Sequence, residues 1–221
     1  MKVREGRAWI LGDARVKRPR RAARFLPGLR SFRRRRKVWQ RETLLDLLPE
    51  DSFGAEIGVW RGDFSARLLS EVRPARLHLI DPWRFESDSE YQCACYGGAV
   101  AKNQAEMDKI YEGVLRRFAS EIDAGLVFVH RGPSAQAGMK FPDAYFDWVY
   151  IDGNHFYEYV KRDLEVFATK LKPGGVLAGD DYGAQGWWKG GVTRAVDEFV
   201  AARDCKVRRL GRQFVLLPIL R

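Results

Sequence analysis

From Ser52 onward the chain alternates short apolar runs with longer stretches of helical period. Phe53–Val59, Leu77–Ile80, Leu126–His130, Phe146–Ile151 and Val176–Gly179 are predicted strands. Short apolar runs bounded by turn residues are the pattern of strands covered on both faces. Between them the period predicts helices over Phe64–Val72, Ala101–Ser120, a short segment from Ser134, Tyr157–Leu171 and Gly191–Arg203. Val207–Leu210 and Phe214–Leu217 fit a closing pair of strands. Strand–helix alternation of this kind builds a mostly parallel sheet covered by helices, with a crevice at the carboxyl ends of its strands. Asp81, Asp152 and Asp180 all fall at such ends. Upstream, Val38–Leu48 is predicted as a helix with Leu44, Leu45, Leu47 and Leu48 on its apolar side, closed by Pro49.

Composition refines this picture. The 221 residues suit one α/β domain, and 46% apolar content supports a sizeable core. Charge is uneven. Residues 1–41 carry 16 Lys or Arg against two acids, a net of +14, and the remainder carries 23 against 27, a net of −4. The chain therefore divides into a basic N-terminal extension, 1–37, and a mildly acidic domain, 38–221. The run Arg33-Arg34-Arg35-Arg36-Lys37 suits phosphates, anionic lipid or an acidic partner, or is simply a solvated extension. No apolar run approaches the roughly 18 residues of a transmembrane helix, and the start lacks the apolar segment of a secretory signal. Cys93, Cys95 and Cys205 lack the paired spacing of a disulfide scaffold or zinc site, so a cytoplasmic location is expected.

Two clusters carry chemistry. The first is Glu56-Ile57-Gly58-Val59-Trp60-Arg61-Gly62, where a strand turns into a helix. Gly58 lets a ligand approach the backbone, and Gly62 permits the tight turn. Asp81 follows Gly58 by 23 residues, as expected for an acid accepting hydrogen bonds from a ribose diol; its plainer role is a turn former before Pro82. The G-x-x-x-G spacing argues against a nicotinamide cofactor, whose turn is G-x-G-x-x-G. The second cluster is acidic. Asp152 closes F-D-W-V-Y-I-D-G-N-H, and Asp180-Asp181 closes L-K-P-G-G-V-L-A-G-D-D-Y. Adjacent carboxylates repel, so three of them call for a metal, a bound basic group or a shared proton. His155, three residues beyond Asp152, is the candidate general base. His78 inside a strand reads as structural, His130 is a poorer base, and Asp163 reads as a surface charge or a salt-bridge partner.

The segments E-I-G-V-W-R-G-D-F-S, L-H-L-I-D-P-W, F-D-W-V-Y-I-D-G-N-H-F-Y-E-Y-V-K-R-D-L and L-K-P-G-G-V-L-A-G-D-D-Y resemble class I S-adenosylmethionine-dependent methyltransferases. The nearest branch is the metal-dependent sugar O-methyltransferases of the macrocin and mycinamicin type, with catechol O-methyltransferase more distant. The resemblance covers roughly residues 40–217. It implies a Rossmann-like α/β fold, with a seven-stranded mostly parallel sheet, helices on both faces and an antiparallel closing strand. It also implies an enzyme using S-adenosylmethionine and Mg²⁺ or a similar cation to methylate a hydroxyl of a small molecule, a glycoside or natural product.

Carried over by position, Glu56 and Gly58 border the methionine part of the cofactor, Gly62 belongs to the same cofactor-binding turn, Asp81 holds the ribose, and Trp83 or Arg131, Gly132 and Ser134 lie by the adenine. Asp152, Asp180 and Asp181 are the implied metal ligands, with Asp152 and His155 catalytic. Hard carboxylate ligands suit Mg²⁺, which clamps a hydroxyl and lowers its pKa. Tyr157, Trp187 and Trp188 are the candidate substrate wall; residues 82–99 and 182–191 are the segments that cover it. The resemblance is compatible with a homo-oligomer. Three alternatives stay open: a methyltransferase of RNA or another macromolecule, through the basic extension; a cephalosporin hydroxylase-like enzyme on the same scaffold; and a noncatalytic binding protein. Positive charge is not woven through the catalytic half, and no N-P-P-Y-like motif is present, which disfavours nucleic acid.

Overall fold

The computed structural model describes residues 44–203 and 205–218. The basic extension and the start of the helix expected over Val38–Leu48 lie outside the described residues; Leu44 and Leu45 are helical and, with Leu48, buried in the core.

Seven strands form one sheet: β1 (Phe53–Ile57), β2 (Arg76–Asp81), β3 (Val127–Arg131), β4 (Phe146–Ile151), β5 (Leu171–Gly179), β6 (Cys205–Leu210) and β7 (Gln213–Pro218). Their order is β3-β2-β1-β4-β5-β7-β6. The first five are parallel; β7 runs antiparallel to β5, and β6 to β7. This is the class I methyltransferase architecture that the resemblance implies. Because β1 pairs with β2 on one side and β4 on the other, the chain reverses its direction of winding there, which opens a crevice at the strands' carboxyl ends.

Alternation along the strands divides the core into two layers. Trp148 and Tyr150 of β4 face α1 (Asp63–Arg67), which runs on into a π-type turn over Leu68–Val72, and α2 (Gln104–Arg117). Val149 and Ile151 face the other layer, built from α4 (Ser134–Gly138), α5 (Tyr157–Lys170) and α6 (Gly191–Ala201). The single helix expected over Ala101–Ser120 is in fact two. Asn103 caps α2 by accepting the Glu106 N–H at 3.0 Å, and Phe118, buried with φ −109°, breaks the run before α3 (Ala119–Asp123).

The second layer carries a polar chain that is buried at His78 and half-buried at His130 and Tyr145. His78 Nδ1 lies 2.9 Å from His130 Nε2, and His78 Nε2 lies 3.2 Å from the Tyr145 hydroxyl. The His78 ring is packed by Phe128, Phe141 and Phe146. Burial, reinforced by His130, pushes the His78 pKa down to about 3. A histidine in the unfolded chain titrates near ~6.5. The folded protein therefore binds fewer protons between these values, and His78 favours folding fully above the higher one and loses that contribution as pH falls below it. Thermal unfolding followed from pH 7 to pH 4 is expected to show a falling midpoint, with a shallower fall in His78→Gln, which cannot take up the proton. Parallel curves for the two proteins would refute this assignment.

Candidate active site at the ends of β1, β2 and β4

The turn after β1 is shaped by contacts that the sequence alone does not show. Gly58 has φ +88°, and a Cβ there would stand 2.1 Å from the Asp152 carbonyl oxygen. The Gly58 N–H donates to the Ile80 carbonyl at 2.9 Å, and the Asp152 N–H donates to the Ile57 carbonyl at 2.7 Å. Three strand ends are thereby joined at one point. Asp81 clips the turn from β2: one carboxylate oxygen accepts the Val59 and Trp60 N–H groups at 2.9 and 3.0 Å, and the other accepts that of Trp83 at 2.7 Å. Burial pushes the Asp81 carboxyl above its ordinary range, while these donors and Arg131 pull it back. Its two oxygens retain lone pairs for a further donor.

Glu56, 2% exposed, accepts a hydrogen bond from the Ser65 hydroxyl on α1. Glu56, Gly58, Asp81 and Ser134 line a cavity of about 410 Å³, together with Asp152, His155, Trp187 and Trp188. A volume of this size lies in the usual range for small-ligand sites. Several expected residues are not among those lining it. Trp83 is 0% exposed and donates from Nε1 to the Trp60 carbonyl at 2.9 Å, so it is a core side chain; Pro82 and Arg84 line the cavity in its place. Arg131 pairs with Asp108 and sits 4.7 Å over the Tyr111 ring. Gly132, φ +156°, has open space where a Cβ would be, and Gly62 packs on Phe118. Tyr157 donates to Glu198 at 2.5 Å beneath the Arg194 guanidinium, and Tyr159 lines the cavity instead.

The acids and the histidine do meet. His155 Nε2 lies 3.2 Å from Asp152 Oδ1, and Nδ1 lies 3.3 Å from Asp181 Oδ2. Burial alone would lower the His155 pKa, but Asp152, Asp181 and Asp180 outweigh it, leaving the imidazole above its ordinary value. Asp180, 6% exposed, accepts the Asp181 N–H at 2.8 Å, and Asp181 forms an ion pair with Arg212. The implied divalent cation does not fit this arrangement. Two of the carboxylates bracket an imidazole rather than an ion, one is also held by a guanidinium, and no group of three His, Cys, Asp or Glu among the described residues is arranged to hold a metal. Arg212 was not anticipated; it stands in the β6–β7 turn, 31 positions after its partner, and no local pattern ties the two.

The two segments expected to cover the site touch each other. Tyr91 packs edge-on against Phe156 at 5.2 Å and Trp187 at 5.6 Å, and accepts from Asn154 at 2.9 Å. Lys189 pairs with Glu90 at 3.2 Å. Residues 82–99 and 182–191 are thus joined by aromatic and ionic contacts.

A family model described as a methyltransferase domain matches residues 55–182, more than half of the chain. The chain belongs to that family. No curated protein sequence matches it. Among solved structures, a Corynebacterium glutamicum protein superposes with TM-score 0.57 at 15% identity, covering 84% of this chain and 82% of that one. A putative rRNA-methylase from Clostridium thermocellum gives 0.57 at 14%, covering 81% and 92%. The Podospora anserina methyltransferase PaMTH1, bound to S-adenosylhomocysteine, gives 0.53 at 16%, covering 81% and 76%. At these identities the structures show the shared fold. The methyltransferase is thus an S-adenosylmethionine-dependent enzyme in class, and among its described residues no helix is long and apolar enough to cross a membrane.

One buried acid supports the methyltransferase's cavity wall. Asp163, expected on the surface, is 3% exposed and accepts from the Ser134 hydroxyl at 2.5 Å. Burial pushes its pKa up to about 7. In the unfolded chain a carboxyl of this kind titrates near ~3.9. The fold therefore gains protons relative to the unfolded chain between these values, and stability falls as pH rises through that window. Asp163→Asn keeps the acceptor without the charge. It is expected to raise the thermal midpoint at pH 8 by several degrees, with the gain vanishing toward pH 4. A gain independent of pH, or a loss at pH 8, would contradict this account.

Proposed function

We propose that this methyltransferase transfers a methyl group to a hydroxyl oxygen of a small molecule. The observation that carries the reading is that one cavity is lined both by the Glu56–Gly58 turn, Asp81 and Ser134 and by Asp152, His155 and the Trp187–Trp188 pair. When bound, S-adenosylmethionine supplies an electrophilic methyl on a sulfonium centre. Glu56 offers a buried carboxylate to the amino end of that cofactor, Gly58 leaves the backbone bare beside it, and Asp81 presents the remaining lone pairs of its carboxylate to the ribose. Ser134, fixed by Asp163, stands toward the base.

At the reacting end, a hydroxyl must lose its proton as its oxygen attacks. His155 is the group that receives it: the imidazole is held between two carboxylates, which stabilise the positive charge it acquires. Asp152 lines the cavity and orients the ring. Trp187 and Trp188 cross edge to face at 5.6 Å and exclude water beside the reacting atoms. The contacts that join the two covering segments favour an acceptor that enters a cavity over a polymer laid across the surface. The magnesium dependence implied by the sequence is not part of this reading, because the carboxylates are engaged as described above.

The test is incubation with methyl-labelled S-adenosylmethionine and a panel of phenols, catechols, glycosides and total RNA. Label on the oxygen of a small acceptor supports the reading; label on RNA alone overturns it. With the active acceptor, His155→Gln is expected to lower turnover by about 10²-fold or more, while calorimetry shows unchanged affinity for S-adenosylhomocysteine. Unchanged turnover would remove His155 from the mechanism.

A further inference from the structure

We propose that Arg212 is the cation of this active site: its guanidinium takes the place at the acid pair that a divalent ion would otherwise fill, and it positions Asp181 against His155. The inference rests on the reading of Asp152 and His155 as the reactive end of the cavity.

The argument begins with charge. Asp152, Asp180 and Asp181 bring three carboxylates to the ends of β4 and β5, and such a group is unstable without compensation. A metal is one solution and a bound basic side chain is another. Arg212 lies in the hairpin turn between β6 and β7, and its Nη2 is paired with Asp181 Oδ1. The pairing leaves Asp181 Oδ2 facing His155 Nδ1 at 3.3 Å. The backbone holds both partners in place. The Arg212 carbonyl accepts the Tyr182 N–H at 2.7 Å, which ties the hairpin to the residue after Asp181. Asp181 itself has φ +61°, a conformation that costs a non-glycine residue energy. The Asp180 carboxylate compensates by accepting the Asp181 N–H at 2.8 Å. The Asp181 side chain is 13% exposed and that of Arg212 39%, so the carboxylate is shielded while the guanidinium reaches it from the solvent side, and salt screens the pair only in part.

This geometry bears directly on metal chemistry. An ion bound by Asp181 would stand beside a guanidinium that cannot lose its charge. It would also have to displace the imidazole that Asp152 and Asp181 bracket. A divalent ion and the guanidinium would repel each other at such close range. Arg212 therefore acts as a positioning residue through Asp181 and as an intrinsic block to cation binding.

The test uses full-length protein saturated with S-adenosylhomocysteine, titrated with Mn²⁺ and Mg²⁺ by calorimetry, with free Mn²⁺ followed by electron paramagnetic resonance. The wild type is expected to take up neither ion at millimolar concentration, and its thermal midpoint is expected to be unmoved by Mn²⁺. Arg212→Gln frees Asp181 and is expected to gain Mn²⁺ affinity by about tenfold or more, with a rise in midpoint on Mn²⁺ addition. Arg212→Lys keeps the charge and is expected to behave as the wild type, which separates loss of charge from general damage to the hairpin. Mn²⁺ bound by the wild type and lost in Asp152→Asn would overturn the proposal, as would equal Mn²⁺ affinity in Arg212→Gln and Arg212→Lys. Failure of the wild type to bind S-adenosylhomocysteine would instead count against the proposed function, and the Mn²⁺ comparison repeated on the protein alone would still decide the role of Arg212.

Discussion

The close approach of Gly58 to the backbone of Asp152 is the constraint on which the site depends. A Cβ at Gly58 would fall 2.1 Å from the Asp152 carbonyl oxygen, a distance no side chain survives. Only a bare backbone lets β1 and β4 remain in register to their last residues while the chain turns away into α1. The hydrogen bonds from Gly58 to Ile80 and from Asp152 to Ile57 then bind β2, β1 and β4 into one rim. In the proposed function the cofactor end and the reacting end of the cavity adjoin this contact, so their spacing would be set by strand pairing rather than by flexible loops.

Around the rim, charge is arranged so that each buried acid has an answer. Glu56 has Ser65, Asp81 has three backbone N–H groups, Asp163 has Ser134, and Asp181 has Arg212 and His155. Buried carboxylates held by partners in this way are costly as isolated groups but become fixed and directional when satisfied. His155 stands beside these acids with the rings of Trp187 and Trp188 against it, the setting on which its proposed role as proton acceptor draws.

Much of the fold was legible because burial on both faces writes itself into a strand's composition. Phe146–Ile151 is apolar nearly throughout, since Trp148 and Tyr150 serve one layer and Val149 and Ile151 the other. The turn glycines and the strand-end acids were legible for a similar reason: each is dictated by local geometry. What was missed depends on contacts distant in sequence or on helix phase. Tyr157 and Tyr159 are two positions apart, which on a helix is roughly 200° of rotation, so only one can face the cavity. Trp83 looked like a ring awaiting a purine, yet Tyr111 and the Trp60 carbonyl claim it. Asp163 resembled an ordinary helix surface charge because its partner lies on another element. The metal expectation came from the family resemblance, while the acids by themselves left a bound basic group equally open; the Arg212 that answers one of them arrives on a later hairpin.

The most direct measurement is hydrogen–deuterium exchange of the full-length protein with and without S-adenosylhomocysteine. A cofactor seated against the β1 turn and the ends of β2 and β3 predicts that slowed exchange concentrates in peptides covering residues 56–62, 81–84 and 131–135. No slowing anywhere, or slowing confined to the β6–β7 hairpin and the outer faces of the helices, would contradict the placement of the cofactor and the account built on it.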